Sequence, residues 1–174
     1  MLNAKCSALP RSESCIQMES LTIETHSPEE TERLGSALVD LLAPGAVVAL
    51  RGELASGKTC FVRGMALHFA TGEIVSSPTF TIVNQYGDPP RLYHVDLYRL
   101  GQLDELADIG YEDLFEPDGV CVIEWAERAG DLLPAQRIDI LFEHVDELTR
   151  RLTVRDFGLL AHDWSDRLRE SLAK

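Results

Sequence analysis

The chain has 174 residues, with 16 Lys and Arg residues against 29 Asp and Glu residues, for a formal net charge of −13. This length is enough for one domain that buries its own core. Proteins that bind RNA or DNA unaided neutralise phosphates with Lys and Arg, so this charge argues against a stand-alone nucleic-acid-binding protein. No apolar run reaches membrane-spanning length and the four cysteines form no C-x-x-C pair, so we expect a cytoplasmic protein without a zinc site or disulfide framework.

The N-terminal part of the chain divides into an irregular stretch and the start of a domain. Residues 1–19 have no hydrophobic period and are predicted to be a flexible extension, followed by a single domain over 20–174. A strand is predicted at 21–25, where apolar and polar residues alternate. Residues 27–30, Ser-Pro-Glu-Glu, stand in the order of an N-cap, a first-turn proline and a capping-box glutamate, which predicts that a helix begins there.

A glycine-rich motif follows the apolar run 46–50. It reads Gly52-Glu53-Leu54-Ala55-Ser56-Gly57-Lys58-Thr59, which fits the pattern G-x-x-x-x-G-K-[ST]. In this setting a buried strand leads into a loop whose backbone N–H groups surround phosphate oxygens, while Lys58 reaches the β- and γ-phosphates and the Thr59 hydroxyl binds Mg²⁺. A helix predicted from residue 58 to about residue 70 adds its positive N-terminal dipole at the same point. The motif therefore predicts a site for a nucleoside triphosphate and Mg²⁺.

The rest of the pattern predicts a mixed sheet. Two pairs of predicted strands are each joined by a link too short for a parallel crossover, namely 79–86 with 92–98 and 137–144 with 150–157. Short helical pieces are predicted at 104–107 and 111–115, before a buried strand at 120–123. Apolar residues at four-residue steps predict a C-terminal helix over about 158–173. We therefore predict an α/β fold, a three-layer sandwich like that of P-loop NTPases with both parallel and antiparallel strands.

Two acidic residues stand where a phosphate site needs them. Glu124 directly follows the apolar run 120–123 and is predicted to emerge at a strand end, where an acid can hold Mg²⁺ beside Thr59. Asp96 lies in a strand that is otherwise typical of a core, and its carboxylate could orient water or the metal shell. We therefore predict Asp96, Glu124 and Lys58 as catalytic residues, and Thr59 and Glu124 as metal ligands.

Three further polar residues leave alternatives open. By the two-residue period of a strand, His94 and Tyr98 share one face with Asp96. Each of the two is as well explained by a hydrogen-bonded structural pair as by a functional role. Residues 76–80 form a predicted turn, in which the Thr79 hydroxyl either caps local backbone or senses the terminal phosphate of a nucleotide.

With these segments in order, the chain resembles the TsaE family, the P-loop ATPases of bacterial tRNA threonylcarbamoyladenosine synthesis. The resemblance covers residues 21–157, and the matching segments are 27–31, 52–59, 63–64, 77–80, 93–99 and 123–125. The phosphate loop alone is generic, but H-x-D-L-Y-R followed by E-W is specific. The resemblance implies a protein that binds and hydrolyses ATP with Mg²⁺ while docked on TsaD and TsaB, the pair that makes the modified adenosine (t6A37) next to the tRNA anticodon.

The resemblance also implies roles for individual residues. In the family, the positions that match Lys58 and Thr59 bind phosphate and metal, the position that matches Glu124 joins the metal shell, and the one that matches Asp96 is needed for hydrolysis. The segment 25–31 lies near the adenine. The predicted nucleotide-binding residues are therefore Gly52, Glu53, Leu54, Ala55, Ser56, Gly57, Lys58, Thr59, Cys60, Thr79 and Thr31.

The chain departs from the family pattern at two positions of the loop. The family usually has Gly-Ala where this chain has Ala55-Ser56, and a methyl group is unfavourable at Ala55 if that residue needs a positive φ. The residue after Thr59 is commonly Thr, which can donate to the α-phosphate, whereas Cys60 is a weaker donor.

Two other functions fit the same loop. A small-molecule kinase usually closes an Arg-rich lid over the phosphates, but between Asp96 and Arg128 the chain offers only Arg99. A nucleotide-gated interaction module would need binding without turnover, and the acids at 96 and 124 favour turnover. Because no arginine obviously completes the phosphate site, we expect hydrolysis to be slow without a partner.

Overall fold

A computed structural model describes residues 19–69, 75–100 and 118–172. Its strands and α-helices within these ranges are β1 (Glu19–Thr25), α1 (Pro28–Val39), β2 (Val47–Gly52), α2 (Lys58–Ala66), β3 (Val83–Tyr86), β4 (Arg91–Asp96), β5 (Gly119–Glu124), β6 (Ile138–His144), β7 (Arg150–Asp156) and α3 (Trp164–Leu172). Two short 3-10 helices, Ala126–Arg128 and Gly130–Leu132, lie between β5 and β6. Of the extension predicted at residues 1–19, only Glu19 is described, and it begins β1 rather than belonging to the extension. Residues 1–18 and the helical pieces predicted at 104–107 and 111–115 lie outside the described residues.

The strands form one seven-stranded sheet in the order β1-β7-β6-β2-β5-β4-β3. Neighbouring strands among β6, β2, β5 and β4 are parallel, whereas β1–β7, β6–β7 and β3–β4 are antiparallel pairs. The predicted fold class is therefore confirmed, as are the two predicted hairpins. The register aligns Leu50 of β2 and Asp96 of β4 with Glu124 of β5. The phosphate loop and the ends of β4 and β5 consequently meet at the carboxyl edge of the parallel strands.

Both faces of the sheet are covered. Residues 47–50 of β2 are buried throughout, as expected for a central parallel strand that is packed on both sides. The three α-helices of the described ranges cover one face, where Phe61 and Trp164 join the main apolar cluster. On the other face, Leu100 and Ala126 belong to a second cluster formed with β2, β4 and β5.

Helices α1 and α2 cross at close range because each has a glycine that lies against the backbone of the other helix. A Cβ atom on Gly64 would lie 1.9 Å from the carbonyl oxygen of Glu32, and one on Gly35 would lie 2.2 Å from that of Phe61. Any side chain at these positions would push the helices apart. The close crossing fixes the N-terminus of α2, where the phosphate loop ends, against α1.

Two predicted strands are shorter than expected. The strand predicted at 79–86 begins at Val83, because the preceding residues form a turn closed by a 2.6 Å hydrogen bond from the Ile82 N–H to the Pro78 carbonyl. The strand predicted at 92–98 ends at Asp96. There the Tyr98 N–H donates to the Asp96 carboxylate over 2.9 Å, a local bond that ends extended pairing.

The predicted helices also differ from the structure at their ends. The helix that begins at Lys58 ends at Ala66 rather than near residue 70. The C-terminal helix begins at Trp164, later than predicted, because the Asp156 carboxylate accepts hydrogen bonds from the N–H groups of Leu159 and Leu160. Across the described ranges, every helix falls short of the length and apolar character needed to cross a membrane.

Candidate nucleotide-binding site

The phosphate loop joins β2 to α2 through three residues with positive φ. These are Gly52 (φ 133°), Ala55 (φ 60°) and Gly57 (φ 105°). Gly52 also lies so close to β6 that a Cβ atom there would be 2.4 Å from the carbonyl oxygen of Phe142. Ala55 therefore occupies the left-handed conformation that its methyl group disfavours, at a cost of about 1–2 kcal/mol. The positive φ, on which the expectation of strain at this departure from the family pattern depends, is therefore present.

The Lys58 side chain bends back over the loop. Its Nζ donates to the carbonyl oxygens of Gly52 and Glu53, each over 2.8 Å, and lies 4.0 Å from the ring centroid of Trp125. Burial lowers the pKa of Lys58, while nearby carboxylates, Glu124 first among them, act in the opposite direction. The ammonium is thus held at the inner wall of the loop, where a phosphate oxygen can replace a carbonyl.

Thr59 and Glu124 meet directly beside this lysine. The Thr59 hydroxyl donates to both carboxylate oxygens of Glu124, over 2.8 and 3.0 Å. Glu124 ends β5, as predicted, and is only 3% exposed. In the described part of the chain, His, Cys, Asp and Glu form no group of three that could hold a metal ion. A single carboxylate with a hydroxyl fits Mg²⁺, which keeps most of its waters and is completed by substrate phosphates.

Asp96 is bonded to the loop that precedes β3. Its Oδ2 accepts hydrogen bonds from the hydroxyls of Ser77 and Thr79, over 2.5 and 2.6 Å, and its Oδ1 accepts the Tyr98 N–H. The loop is therefore attached to the end of β4 by the carboxylate that we predict to be catalytic. Ser77 was missed as a site residue, although the Ser-Pro-Thr sequence of this turn offers two hydroxyls.

His94 and Tyr98 do not form a pair. His94 is fully buried and its Nε2 lies 2.9 Å from Oε1 of Glu124. Tyr98 lies beyond the end of β4, and its ring packs against Trp125 at a centroid distance of 5.0 Å. His94 and Asp96 share one face of β4, as predicted. The strand ends at Asp96, so the two-residue period does not extend to Tyr98, which lines the larger cavity together with Asp96.

Most of the predicted residues line one cavity of about 410 Å³. Its walls come from the phosphate loop, the end of β5 and the loop before β3: Leu54, Ala55, Ser56, Gly57, Lys58, Thr59, Cys60, Ser77, Thr79, Asp96, Tyr98, Glu124 and Trp125. Gly52 and Glu53 are absent from this lining and contribute the carbonyls that accept from Lys58. The cavity brings the loop, the lysine and both predicted acids together.

A second cavity, of about 210 Å³, lies on the other side of the loop. The two cavities share Ala55, Gly57 and Cys60, and Thr31 of α1 lines only the second. The Thr31 hydroxyl is already bonded to Thr25 over 2.8 Å, so its methyl group is the part free to contact a ligand. Burial raises the pKa of the Cys60 thiol, which keeps it protonated in this shared wall.

Trp125, Leu148 and Arg150 are among the lining residues that the sequence prediction did not include. Trp125 directly follows Glu124 and has φ 59°. The Glu-Trp sequence at 124–125 is the signal that could have identified Trp125 as a site residue. Leu148 and Arg150 line the second cavity from the β6–β7 hairpin, where Arg150 donates to the carbonyl oxygen of Asp146 over 2.9 Å. Nothing in the local sequence of that hairpin distinguishes it from an ordinary turn.

Comparison with known protein families agrees with this geometry. Residues 25–152, which contain both cavities, match the family model described as threonylcarbamoyl adenosine biosynthesis protein TsaE. The chain belongs to the TsaE family. The resemblance inferred from its motifs is therefore confirmed.

Named TsaE proteins match across most of their length. The tRNA threonylcarbamoyladenosine biosynthesis protein TsaE of Treponema pallidum is 42% identical over 130 residues, which cover 75% of this chain and 96% of the relative. The protein of the same name from Bacillus subtilis is 37% identical over 142 residues, or 81% and 89% of the two chains. The crystal structure of Bacillus subtilis YdiB superposes with a TM-score of 0.69 at 32% identity, covering 90% of this chain and 96% of that chain.

Proposed function

We propose that this protein binds and hydrolyses MgATP in support of threonylcarbamoyladenosine modification of tRNA, acting through TsaD and TsaB homologues. The observation that carries the proposal is the contact of Thr59 with Glu124 beside Lys58. A glycine loop with a lysine is sufficient to bind phosphates. The Thr59 hydroxyl at the start of α2 and the Glu124 carboxylate at the end of β5 add the oxygen groups that a magnesium–phosphate complex needs.

The two cavities suggest how the nucleotide lies. The phosphate chain would occupy the larger cavity, where the loop N–H groups and the N-terminus of α2 favour negative charge. The nucleoside would occupy the smaller cavity, across the shared residues of the loop, between Thr31 and the β6–β7 hairpin that carries Leu148. This orientation directs the terminal phosphate toward Asp96 and Glu124.

Thr59 and Glu124 would hold Mg²⁺, which when bound neutralises charge on the β- and γ-phosphates. Lys58 would bind the terminal phosphate from the other side. Asp96 would orient the attacking water and accept its proton, in exchange for one of its hydrogen bonds to Ser77 or Thr79. Each of these groups lies in the wall of the same cavity.

We expect turnover by the protein alone to be slow. Lys58 carries the one positively charged side chain among the described residues of the larger cavity, and residues 101–117 contain no Lys or Arg. Arginines that approach the terminal phosphate typically accelerate phosphoryl transfer by about 10³–10⁵-fold. A partner that supplies such a group, or that orders the loop around Thr79, would therefore control the rate.

Binding and turnover are tested separately. Calorimetric titration with MgATP should show binding by the wild type and by Lys174→Ala, which removes the same charge outside residues 25–152, and no binding by a folded Lys58→Ala variant. Phosphate release is then measured with and without the TsaD and TsaB homologues. Wild-type affinity in Lys58→Ala contradicts the site. Binding without phosphate release, alone or in the complex, contradicts the ATPase and favours a nucleotide-gated interaction module.

A further inference from the structure

His94 lies directly behind the carboxylate of the proposed metal site. It is fully buried on β4, on the same face of the sheet as Asp96, and its Nε2 is 2.9 Å from Oε1 of Glu124. Its Nδ1 is the one buried side-chain polar atom in the described part of the chain that has no hydrogen-bond partner. Core histidines usually satisfy both nitrogens, so this arrangement needs an explanation.

The hydrogen-bond network determines which nitrogen carries the hydrogen. The Thr59 hydroxyl donates to both oxygens of Glu124, and a carboxylate offers only acceptors. Nε2 of His94 must therefore be the donor in the contact with Oε1. Nδ1 then holds a bare lone pair, which is tolerated in a buried site more readily than an N–H group without an acceptor.

The imidazole has little freedom to move from this contact. In the sheet register His94 is aligned with Val122 of β5, two residues before Glu124. On the β3 side its ring packs beside Tyr86 at a centroid distance of 6.3 Å. Glu124 is therefore held from two directions, by His94 from the core and by Thr59 from the phosphate loop.

We propose that His94 is a positioning residue, whose Nε2–H group holds the Glu124 carboxylate in the orientation that meets Thr59 and the Mg²⁺ of the nucleotide. This inference rests on the proposed function. His94 touches neither nucleotide nor metal, and it acts by fixing a side chain that would otherwise have several rotamers. Groups that orient metal-binding side chains in this way typically change metal affinity by about 10–100-fold when removed.

The test compares substitutions that keep or remove the donor. His94→Gln keeps an N–H group near the position of Nε2, whereas His94→Met has a similar size and no donor. Val122→Ala is the matched control, because it loosens the same buried face without touching Glu124. For each protein, calorimetry gives the ATP dissociation constant in EDTA and in Mg²⁺, and the ratio of the two measures the contribution of the metal.

We expect His94→Met to reduce this ratio by about tenfold while leaving the affinity in EDTA near that of the wild type. His94→Gln should recover most of the loss, and Val122→Ala should lower the melting temperature without changing the ratio. Equal losses in the Gln and Met variants, an unchanged ratio in His94→Met, or the same loss in Val122→Ala would each overturn the role of His94.

Two further measurements keep the outcome decisive. If His94→Met does not fold, His94→Asn replaces it, because its shorter amide cannot reach Oε1 of Glu124. A long-range ¹H–¹⁵N spectrum of the wild-type histidine rings should show His94 protonated at Nε2 and bare at Nδ1, and the opposite tautomer contradicts the inference. A wild-type protein that fails to bind ATP at all refutes the proposed function itself, whereas magnesium-dependent binding that His94→Met leaves unchanged refutes only the inference.

Discussion

The hydroxyl of Thr59 donates to the carboxylate of Glu124 over 2.8 Å, although 65 residues separate the two in the chain. The contact forms because β2 and β5 are parallel neighbours that end at the same edge of the sheet. Thr59 is the second residue of the helix after β2, and Glu124 is the last residue of β5. The fold thus brings two oxygen-bearing side chains to the point where the phosphate loop ends.

Replacement of Glu124 by Gln should weaken nucleotide binding only when magnesium is present. The amide keeps the size of the side chain and can still accept from Thr59, but it lacks the charge that attracts the metal or its waters. We expect the affinity for MgATP to fall about 10–100-fold and the affinity for ATP in EDTA to remain unchanged. Glu127→Gln, which removes an exposed carboxylate near Lys58, is the control. Equal losses with and without magnesium would show that Glu124 acts on the fold rather than on the metal.

Asp96→Asn should retain MgATP and lose hydrolysis. The amide oxygen can still accept from Ser77 and Thr79, so the loop stays attached. The amide nitrogen replaces the oxygen that accepts the Tyr98 N–H, and the side chain cannot take a proton from water. General-base groups typically contribute about 10²–10⁴-fold to a rate, and we expect a loss in that range in phosphate release with partners present. Ser77→Ala removes one of the hydrogen bonds to Asp96 without removing the base, so it should have the smaller effect. Normal turnover in Asp96→Asn would make this carboxylate structural.

Gly64→Ala should destabilise the protein. The added methyl would lie 1.9 Å from the carbonyl oxygen of Glu32, so α1 and α2 must separate. Overpacking of this kind typically costs about 1–3 kcal/mol in the free energy of unfolding, which urea denaturation can measure. Ser36→Ala on α1 is the control and should change this free energy by less than about 0.5 kcal/mol. A Gly64→Ala protein as stable as the wild type would mean that α1 and α2 can separate without loss of stability.

MgATP should protect Cys60 from alkylation. Its side chain lies in the wall shared by the two cavities, so a bound nucleotide would cover it, and the raised pKa of its thiol should make the unprotected reaction slow at neutral pH. Cys121 is the internal control, because burial raises its pKa to about 12 and it should react only after unfolding. Peptide mass spectrometry after iodoacetamide treatment separates the two sites. An equal rate at Cys60 with saturating MgATP would contradict the proposed nucleotide position.

The isolated protein should not bind tRNA tightly at physiological salt. Its net charge of −13 repels a polyanion, so its contact with the modification pathway should run through protein surfaces. We expect co-elution with the TsaD and TsaB homologues to differ between ATP and ADP, and phosphate release to rise in the complex. Tight tRNA binding by the protein alone would contradict this prediction. So would an association with TsaD and TsaB that is the same with ATP and ADP and leaves the rate of phosphate release unchanged.

Local patterns account for the parts of the structure that were predicted well. The phosphate loop, the N-cap at Ser27 and the strand end at Glu124 each depend on a short stretch of sequence with one dominant physical requirement. Ser27 does accept the Glu30 N–H over 3.1 Å, as its spacing predicts. Ala55 likewise has the positive φ that a tight loop imposes at that position.

Contacts between distant strands could not be predicted in the same way. The hydrogen bond between His94 and Glu124 depends on the register of β4 against β5, which no local period specifies. Arg150 reaches the second cavity because the β6–β7 hairpin extends past the phosphate loop. β4 ends early because the Asp96 carboxylate accepts a hydrogen bond from the Tyr98 N–H in the next turn. This local bond outweighs the alternating pattern that predicted a longer strand.

The position of Lys58 over Trp125 makes the fluorescence of Trp125 a probe of nucleotide binding. An ammonium 4.0 Å from an indole ring perturbs the electrons of that ring, so its transfer to a phosphate should change the light that Trp125 emits. Trp164, the other of the two tryptophans, is 1% exposed, donates to Glu19 and lines neither of these two cavities. A Trp164→Phe protein would therefore carry a single tryptophan, and nucleotide binding could be followed in real time by its fluorescence without any attached dye.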